Sequence, residues 1–386
     1  MKPLVEVLTT TTAWFKERGI PSARLDAELL LGHVLGLDRV KVYLSYERPL
    51  TDAELERLRP LVRRRGNREP LAWILGEKEF FGHAFVVTPG VLVPRPDTET
   101  LVEAALAWIS EGSSGDRGAS PPHGGLAGRL RGRAASAPAL AGPGAASLAH
   151  ADSATPSASP VTPPPTAKAS LPWSAEVAAE ASAKEDADAT PSDTAEATES
   201  GGVAGGGALP PQADTEPPIY VADIGSGSGC IGLTLALERP AVRVFAVDRS
   251  EEALAATRTN VAKHGLEKRV AVLRGDLLAA IPAGRTVDWI VSNPPYIPTA
   301  DLDTLQPEVR DHEPRGALDG GADGLDVYRI LVPAAAARAR KGVLVEVGAG
   351  QAPAVAAMMT AAGLSEVRIW KDLSGTERVV GGRRPA

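Results

Sequence analysis

One cysteine in 386 residues, Cys230, excludes an intramolecular disulfide and any cysteine-cluster metal site. Such sparing use fits a reducing compartment. Long apolar runs are missing too. No stretch approaches the roughly 18 to 20 residues that cross a bilayer. The opening MKPLVEVLTTTTAWFKERG holds neither a continuous apolar segment nor a small-residue cleavage site, so a cytoplasmic location is expected. Nor is there an excess of positive charge: 41 Lys and Arg stand against 48 Asp and Glu, a net charge of -7. That balance argues against a broad surface tracking phosphates, and no direct nucleic-acid partner is expected. What is present is apolar residue in quantity, 44% of the chain, enough for a sizeable core at a length that suits two domains.

Apolar spacings of three and four predict helices over 3–18 and 22–35, the second capped by Ser22 after Pro21. RVKVYLSY is a third short apolar piece. DAELERLRPLVRRR is a further helix, acidic at its start and basic at its end, which suits the helix dipole. EPLAWILG closes a helical bundle, residues 1–78. The cluster Arg63, Arg64, Arg65 and Arg68 reads as a solvated face. Over 79–111, the β-type runs HAFVV and VLVP flank a Pro89-Gly90 turn, and Asp97 is placed to cap the helix DTETLVEAALAWI. From 112 to 217 the chain turns to Ala, Pro, Ser, Gly and Thr, almost without aromatics. Such a segment buries too little apolar surface to offset chain entropy, so it is expected to be a disordered insert.

Residues 218–386 alternate strand and helix. Strands are expected at IYVADI, VRVFAV, RVAVLR, VDWIVS and GVLVEV, with helices at 229–238, 250–264 and 325–340. That alternation implies an α/β fold, a parallel sheet covered on both faces. EVRIWKDLSGTERVVGG reads as an antiparallel hairpin closing the sheet edge. The first strand runs into DIGSGSGCIG. Its glycines, Gly225, Gly227 and Gly229 with Ser226 and Ser228 between, let backbone approach a ligand at a strand's carboxyl end. Asp248 ends the second strand, where a carboxylate can take ribose hydroxyls. Both features suit NAD and S-adenosylmethionine alike. Asp223, just before the turn, would repel a pyrophosphate but tolerate a cationic ligand. The antiparallel-ended strand order also favours S-adenosylmethionine, and the stretch after the fourth strand, SNPPYIP, favours it most.

An amide nitrogen is planar and a poor nucleophile because its lone pair is delocalised. A site that methylates one must hold its N–H groups while the lone pair turns towards the methyl. The Asn293 side-chain oxygen can accept one N–H and the Pro294 carbonyl the other. Pro294 and Pro295 fix φ and remove competing donors. Tyr296 can pack over the planar group. No metal is needed, since a cationic sulfonium departs as a neutral thioether. Asp276, at the end of the third strand, is a helix cap or a ligand neighbour; Cys230 and His264 read as a core residue and a helix-end polar group.

Outside the insert the chain resembles the protein-(glutamine-N5) methyltransferases of class I peptide chain release factors, the PrmC/HemK family. The resemblance rests on EPLAWILGEKEFFGHAFVV, VLVPRPDTETLVE, DIGSGSGCIGLTLA, VDRSEEAL, SNPPYIP, EPRGALDGGADGLDVYR and DLSGTERVV. It implies a Rossmann-like class I methyltransferase sheet, parallel with an antiparallel C-terminal hairpin, beside a small N-terminal helical bundle that grips the substrate protein. The implied substrate is the glutamine of a release factor's Gly-Gly-Gln loop, and the implied cofactor is S-adenosylmethionine, held by Gly225 to Gly229, Asp248, Leu277 and Asn293. Asn293 to Tyr296 would hold the glutamine, with Arg95, Pro96 and Glu99 as secondary candidates and the protein acting as a monomer. Leu277 stands where some relatives carry an aromatic. NPPY also occurs in adenine-N6 methyltransferases, which should carry a basic target-recognition region. A ribosomal-protein glutamine methyltransferase is a closer rival, and VLVPRPDTE favours the release-factor branch.

Overall fold

The computed structural model describes residues 2–113, 217–285 and 287–385. The expected insert, 112–217, lies almost wholly outside them. The N-terminal helices are α1 (Leu4–Glu17), α2 (Ala23–Leu35), α3 (Arg39–Leu44), α4 (Asp52–Gly66) and α5 (Leu71–Leu75). They close on Leu4, Leu8, Phe15, Leu30, Leu31, Leu58 and Ile74. Thr51 and Glu54 form a reciprocal capping box at the start of α4, satisfying two backbone donors that the helix leaves open. Ser22 does not cap α2: its side chain makes no capping bond, and its φ of -91° and ψ of 24° turn it away from cap geometry. Two short strands, β1 (Lys2–Pro3) and β2 (Pro49–Leu50), pair antiparallel across the bundle.

The arginine cluster is not a solvated face. Arg65 is 4% exposed. It donates to Asp26 at 2.6 Å and to Glu308 at 2.9 Å, while Arg68 reaches the other Glu308 oxygen at 2.6 Å. Arg64 pairs with Glu69, and Arg63 alone of the four stays exposed. Burial raises the Glu308 pKa, but the two guanidiniums outweigh it and hold the carboxyl below its usual range. Charges this buried persist only when paired. The cluster thus pins the bundle to the C-terminal half of the chain.

The hairpin falls one segment earlier than the Pro89-Gly90 signal suggests. β3 (Glu77–Phe80) pairs with β4 (His83–Val86). Phe81 and Gly82 both hold positive φ, as a two-residue hairpin turn requires. VLVP joins no ladder, and Pro94 lacks a ladder donor; Trp73 Nε1 holds the segment instead, donating to the Val91 carbonyl at 3.1 Å. Asp97 lies inside a short 3-10 turn, Pro96–Thr98, and faces Arg378 at 3.4 Å rather than capping α6 (Glu99–Ser113).

The large sheet contains β5 (Ile219–Ile224), β6 (Val242–Asp248), β7 (Val270–Arg274), β8 (Val287–Ser292), β9 (Ala339–Glu346), β10 (Ser365–Lys371) and β11 (Glu377–Arg383). Their order is β10-β11-β9-β8-β5-β6-β7. All neighbours are parallel except β11, which runs antiparallel to both β9 and β10. Side chains alternate faces along each strand: Val221 of β5 packs with α6 and α7 (Cys230–Glu238), whereas Ala222 and Ile224 pack with α10 (Asp326–Arg338) and α11 (Ala352–Ala361). Helix α8 (Glu251–Lys263) lies along β6 and β7, and a one-turn helix, α9 (Pro307–Arg310), carries Glu308. Helix α11 is not among the expected elements. Strand order reverses between β5 and β8, and that switch point opens a crevice at the carboxyl ends of the strands.

Candidate active site

A cavity of about 420 Å³ fills the crevice, in the usual range for a small-molecule site. The glycine turn forms its floor. Gly225, Gly227 and Gly229 have φ of 72°, 57° and 81°, a region that side chains with Cβ disfavour. Helix α8 fixes the turn from behind: Thr257 donates to the Gly227 carbonyl at 2.9 Å, and Asn260 to the Ser228 carbonyl at 2.9 Å. Asn260 also exchanges two bonds with the Val86 backbone, so a single buried side chain joins the hairpin to the turn.

Asp248 is held by backbone. Its two oxygens accept from the amides of Gly227 and Ser250, each at 2.9 Å, which leaves further lone pairs facing the cavity that it lines. Asp223 lies fully buried beneath the turn. Gly232 N–H donates to one oxygen at 2.9 Å, and the other has no partner. Burial, with the Asp248 charge adding to it, pushes its pKa up to about 7.

Asn293, Pro294 and Pro295 follow β8 and line the same cavity, as do Asp276, Leu277 and the Val91–Arg95 segment. Asn293 Nδ2 donates to Thr98 Oγ1 at 3.2 Å. Tyr296 is not in the wall. Its hydroxyl points to Glu346 Oε1 at 3.4 Å, and burial beside that carboxyl pushes the phenol pKa well up. The Tyr296 carbonyl accepts from Gln351 Nε2 at 2.9 Å. A Cβ on Gly324 would stand 2.2 Å from the same carbonyl, so the glycine-rich loop packs where only glycine fits. Arg95 bonds both oxygens of buried Glu313 at 2.7 Å, clamping the loop whose Pro314, Gly316 and Ala317 complete the rim. Pro96 and Glu99 stand outside the wall; Glu99 accepts the Phe81 amide at 2.9 Å and serves the hairpin.

Two family models match the chain, the PrmC N-terminal domain over residues 6–76 and the methyltransferase small domain over 209–306. The release factor glutamine methyltransferase of Geobacter sulfurreducens is 36% identical over 380 residues, covering 98% of this chain and 95% of that protein. Its namesake in Rhodospirillum rubrum is 35% identical over 379 residues, 97% of this chain and 83% of the other. That of Chlorobaculum tepidum is 34% identical over 342 residues, 88% and 82%. The chain belongs to the release factor glutamine methyltransferase family. As such it takes its methyl from S-adenosylmethionine, and the residues at its cavity fit that cofactor. A Cβ on Gly225 or Gly227 would meet nothing within 4 Å, so their backbone opens onto the cavity. Beside them the Ser226 and Ser228 hydroxyls line the cavity and make no hydrogen bond, while Asp223 Oδ1, likewise unpartnered, lies beneath the turn and outside the wall. Polar atoms left open at such a site are suited to a polar, cationic ligand.

Sequence reasoning missed Thr98 and Glu346. Thr98 sits inside VLVPRPDTE, where attention went to its charged neighbours. Glu346 ends an apolar strand with nothing local to mark it. It is 1% exposed. Burial raises its pKa to about 7, while the Thr98 hydroxyl, Arg378 and Tyr296 pull it down.

Proposed function

We propose that the protein transfers the methyl of S-adenosylmethionine to the side-chain amide nitrogen of the glutamine in the Gly-Gly-Gln loop of a class I release factor. We place it in the cytoplasm, acting as a monomer. The observation that carries this reading is the position of Asn293 and Pro294: they line one cavity with the glycine turn and Asp248, and Thr98 holds the Asn293 NH2 end. The cofactor, when bound, supplies an electrophilic methyl carbon on a cationic sulfur. The chain's own residues do the rest by alignment, and orientation of this kind supplies up to about 7–11 kcal/mol of a barrier.

Asp248 holds the ribose, and the buried Asp223 carboxyl beneath the turn places negative charge under the positive end. Asn293 Oδ1 and the Pro294 carbonyl accept the two N–H bonds of the glutamine, so its nitrogen lone pair turns out of the amide plane towards the methyl. The nitrogen forms one N–C bond as the methyl–sulfur bond breaks with its electron pair left on a neutral thioether, and the nitrogen gives up one proton to solvent. Leu92, Val93 and Ile330 supply the apolar wall, and Ile330 is 62% exposed on the rim, where a protein loop would cover it. On the catalytic side the bundle is locked by Arg65 and Arg68, which leaves its other faces for the release factor.

Incubation with methyl-labelled S-adenosylmethionine and a purified release factor tests this. Fragmentation mass spectrometry should place the methyl on the glutamine of the Gly-Gly-Gln loop. Label on another residue, or on a ribosomal protein or adenine in parallel reactions, would overturn it.

A further inference from the structure

Three loops meet near the carboxyl ends of β8 and β9, and one side chain bonds to all of them. The Gln351 backbone caps α11, its amide donating to the Gly348 carbonyl at 3.1 Å and its carbonyl accepting from the Val355 amide at 3.1 Å. In the side chain, Oε1 accepts from the Gly348 amide at 2.9 Å. Nε2 donates to the Tyr296 carbonyl at 2.9 Å and to the Gly324 carbonyl at 3.3 Å. Each partner is a backbone group of fixed sense, so only one orientation of the side-chain amide satisfies them all. The junction is close-packed. A Cβ on Gly324 would stand 2.4 Å from Gln351 Nε2, and one on Gly348 would stand 2.8 Å from Oε1 and 3.1 Å from the Tyr296 ring.

We propose that Gln351 is a positioning residue for methyl transfer: by holding the Tyr296 carbonyl it fixes the loop that carries Asn293 and Pro294, and so sets where their oxygens stand in the cavity. This rests on the glutamine-methylating reading given above. Gln351 is outside the cavity wall, so it acts through the loop and not on the substrate. The loop needs such a tie. Pro294 and Pro295 have no N–H with which to anchor themselves. At one end Thr98 holds Asn293 at 3.2 Å. At the other, Ile297 donates to the Leu318 carbonyl at 3.0 Å and accepts from the Gly320 amide at 2.8 Å. Between them Tyr296 is held by its hydroxyl, 3.4 Å from Glu346 Oε1, and by its carbonyl, 2.9 Å from Gln351 Nε2. The shorter of these is the stronger bond. The branch to Gly324 extends the effect. It ties the same loop to the turn from which α10 departs, and Asp326 and Val327 at the start of α10 line the cavity. One amide therefore registers two parts of the wall against each other.

Two substitutions test this with saturating cofactor and release factor. Gln351→Met keeps an unbranched side chain of similar length and removes its hydrogen bonds; kcat should fall about tenfold or more, with cofactor Kd and release-factor KM within about twofold. Gln351→Glu keeps the Gly348 bond but turns an acceptor towards two carbonyls, so it should be at least as impaired. A merely structural residue would cost the same in any background. In Asn293→Ala, where one of the two acceptors to be placed is gone, adding Gln351→Met should cost about twofold or less. A further readout needs no turnover. In crystals of Gln351→Met with S-adenosylhomocysteine, Asn293 and Pro294 should be displaced by about 1 Å, the scale of misplacement that costs rate, while the glycine turn and Asp248 keep their places. The proposal falls if either variant turns over normally, if the loss is as large in Asn293→Ala as in the parent, or if the loop has not moved. It falls equally if both variants fail to fold, which would make Gln351 a stability residue alone. Should the protein fail to methylate a release factor at all, the position of the loop in the variant crystal still decides the part played by Gln351.

Discussion

On the glycine-turn side of the cleft, the bonds that set the wall are short in sequence. Gly232 N–H reaches Asp223 across 9 residues, and Gly227 N–H reaches Asp248 across 21. On the Asn293 side, Tyr296 meets Glu346 across 50 residues, and Asn293 meets Thr98 across 195. The first wall is made by one β-α-β unit, in which strand, turn and helix dictate where backbone amides point. The second is made where segments from three distant parts of the chain converge. Local construction gives a binding surface that any sheet of this class can form. Long-range construction makes the orientation of one amide depend on how α6, β8 and β9 pack together, and that dependence is what ties the catalytic group to the rest of the fold.

The sharpest way to separate the two walls is Asn293→Ala. Turnover should fall by about 100-fold or more, because misplacing a reacting group costs at least that much, while cofactor affinity holds. A loss of cofactor binding with normal turnover would merge the walls. Asn260→Ala attacks the local wall from behind. It removes bonds to the Ser228 and Val86 backbone in a fully buried place, so unfolding in urea should show a loss of about 2–3 kcal/mol. Stability equal to the parent would mean that the hairpin and turn do not depend on it. Asp248→Ala should weaken S-adenosylmethionine about 10- to 100-fold by calorimetry; unchanged affinity would remove it from the site. The smallest effect is a pH dependence. A cationic ligand favours ionised Asp223, whose pKa in the free protein is about 7. Its affinity should therefore drop about tenfold from about pH 8 to about pH 6. Asp223→Asn should flatten that profile; the same slope in the variant would assign it to another group.

The same contrast explains what the sequence made legible. β5 and β8 match the runs IYVADI and VDWIVS residue for residue, because their apolar content is continuous and each is buried on both faces. The cofactor wall could be read from DIGSGSGCIG and Asp248, since glycine spacing and a strand-end acid are local signals. Asn293 and Pro294 could be read because NPPY follows a strand. Tyr296 was legible only in part: its ring was expected over the substrate, and nothing in the sequence marked that its hydroxyl reaches Glu346, which no local pattern links to it. Ser22 and Asp97 looked like caps by position alone, and backbone geometry or a distant arginine decided otherwise. VLVP has strand composition but lacks a ladder partner, which composition does not report. Arg65 looks like one of four surface cations until Glu308, 243 residues later, buries it.

The most direct test is a crystal structure of the protein with S-adenosylhomocysteine and a release factor bound. The account predicts the Gly-Gly-Gln glutamine in the cavity, its two N–H groups on Asn293 Oδ1 and the Pro294 carbonyl and its nitrogen facing the sulfur. A glutamine amide held elsewhere, or an Asn293 whose NH2 end meets it, would contradict the account.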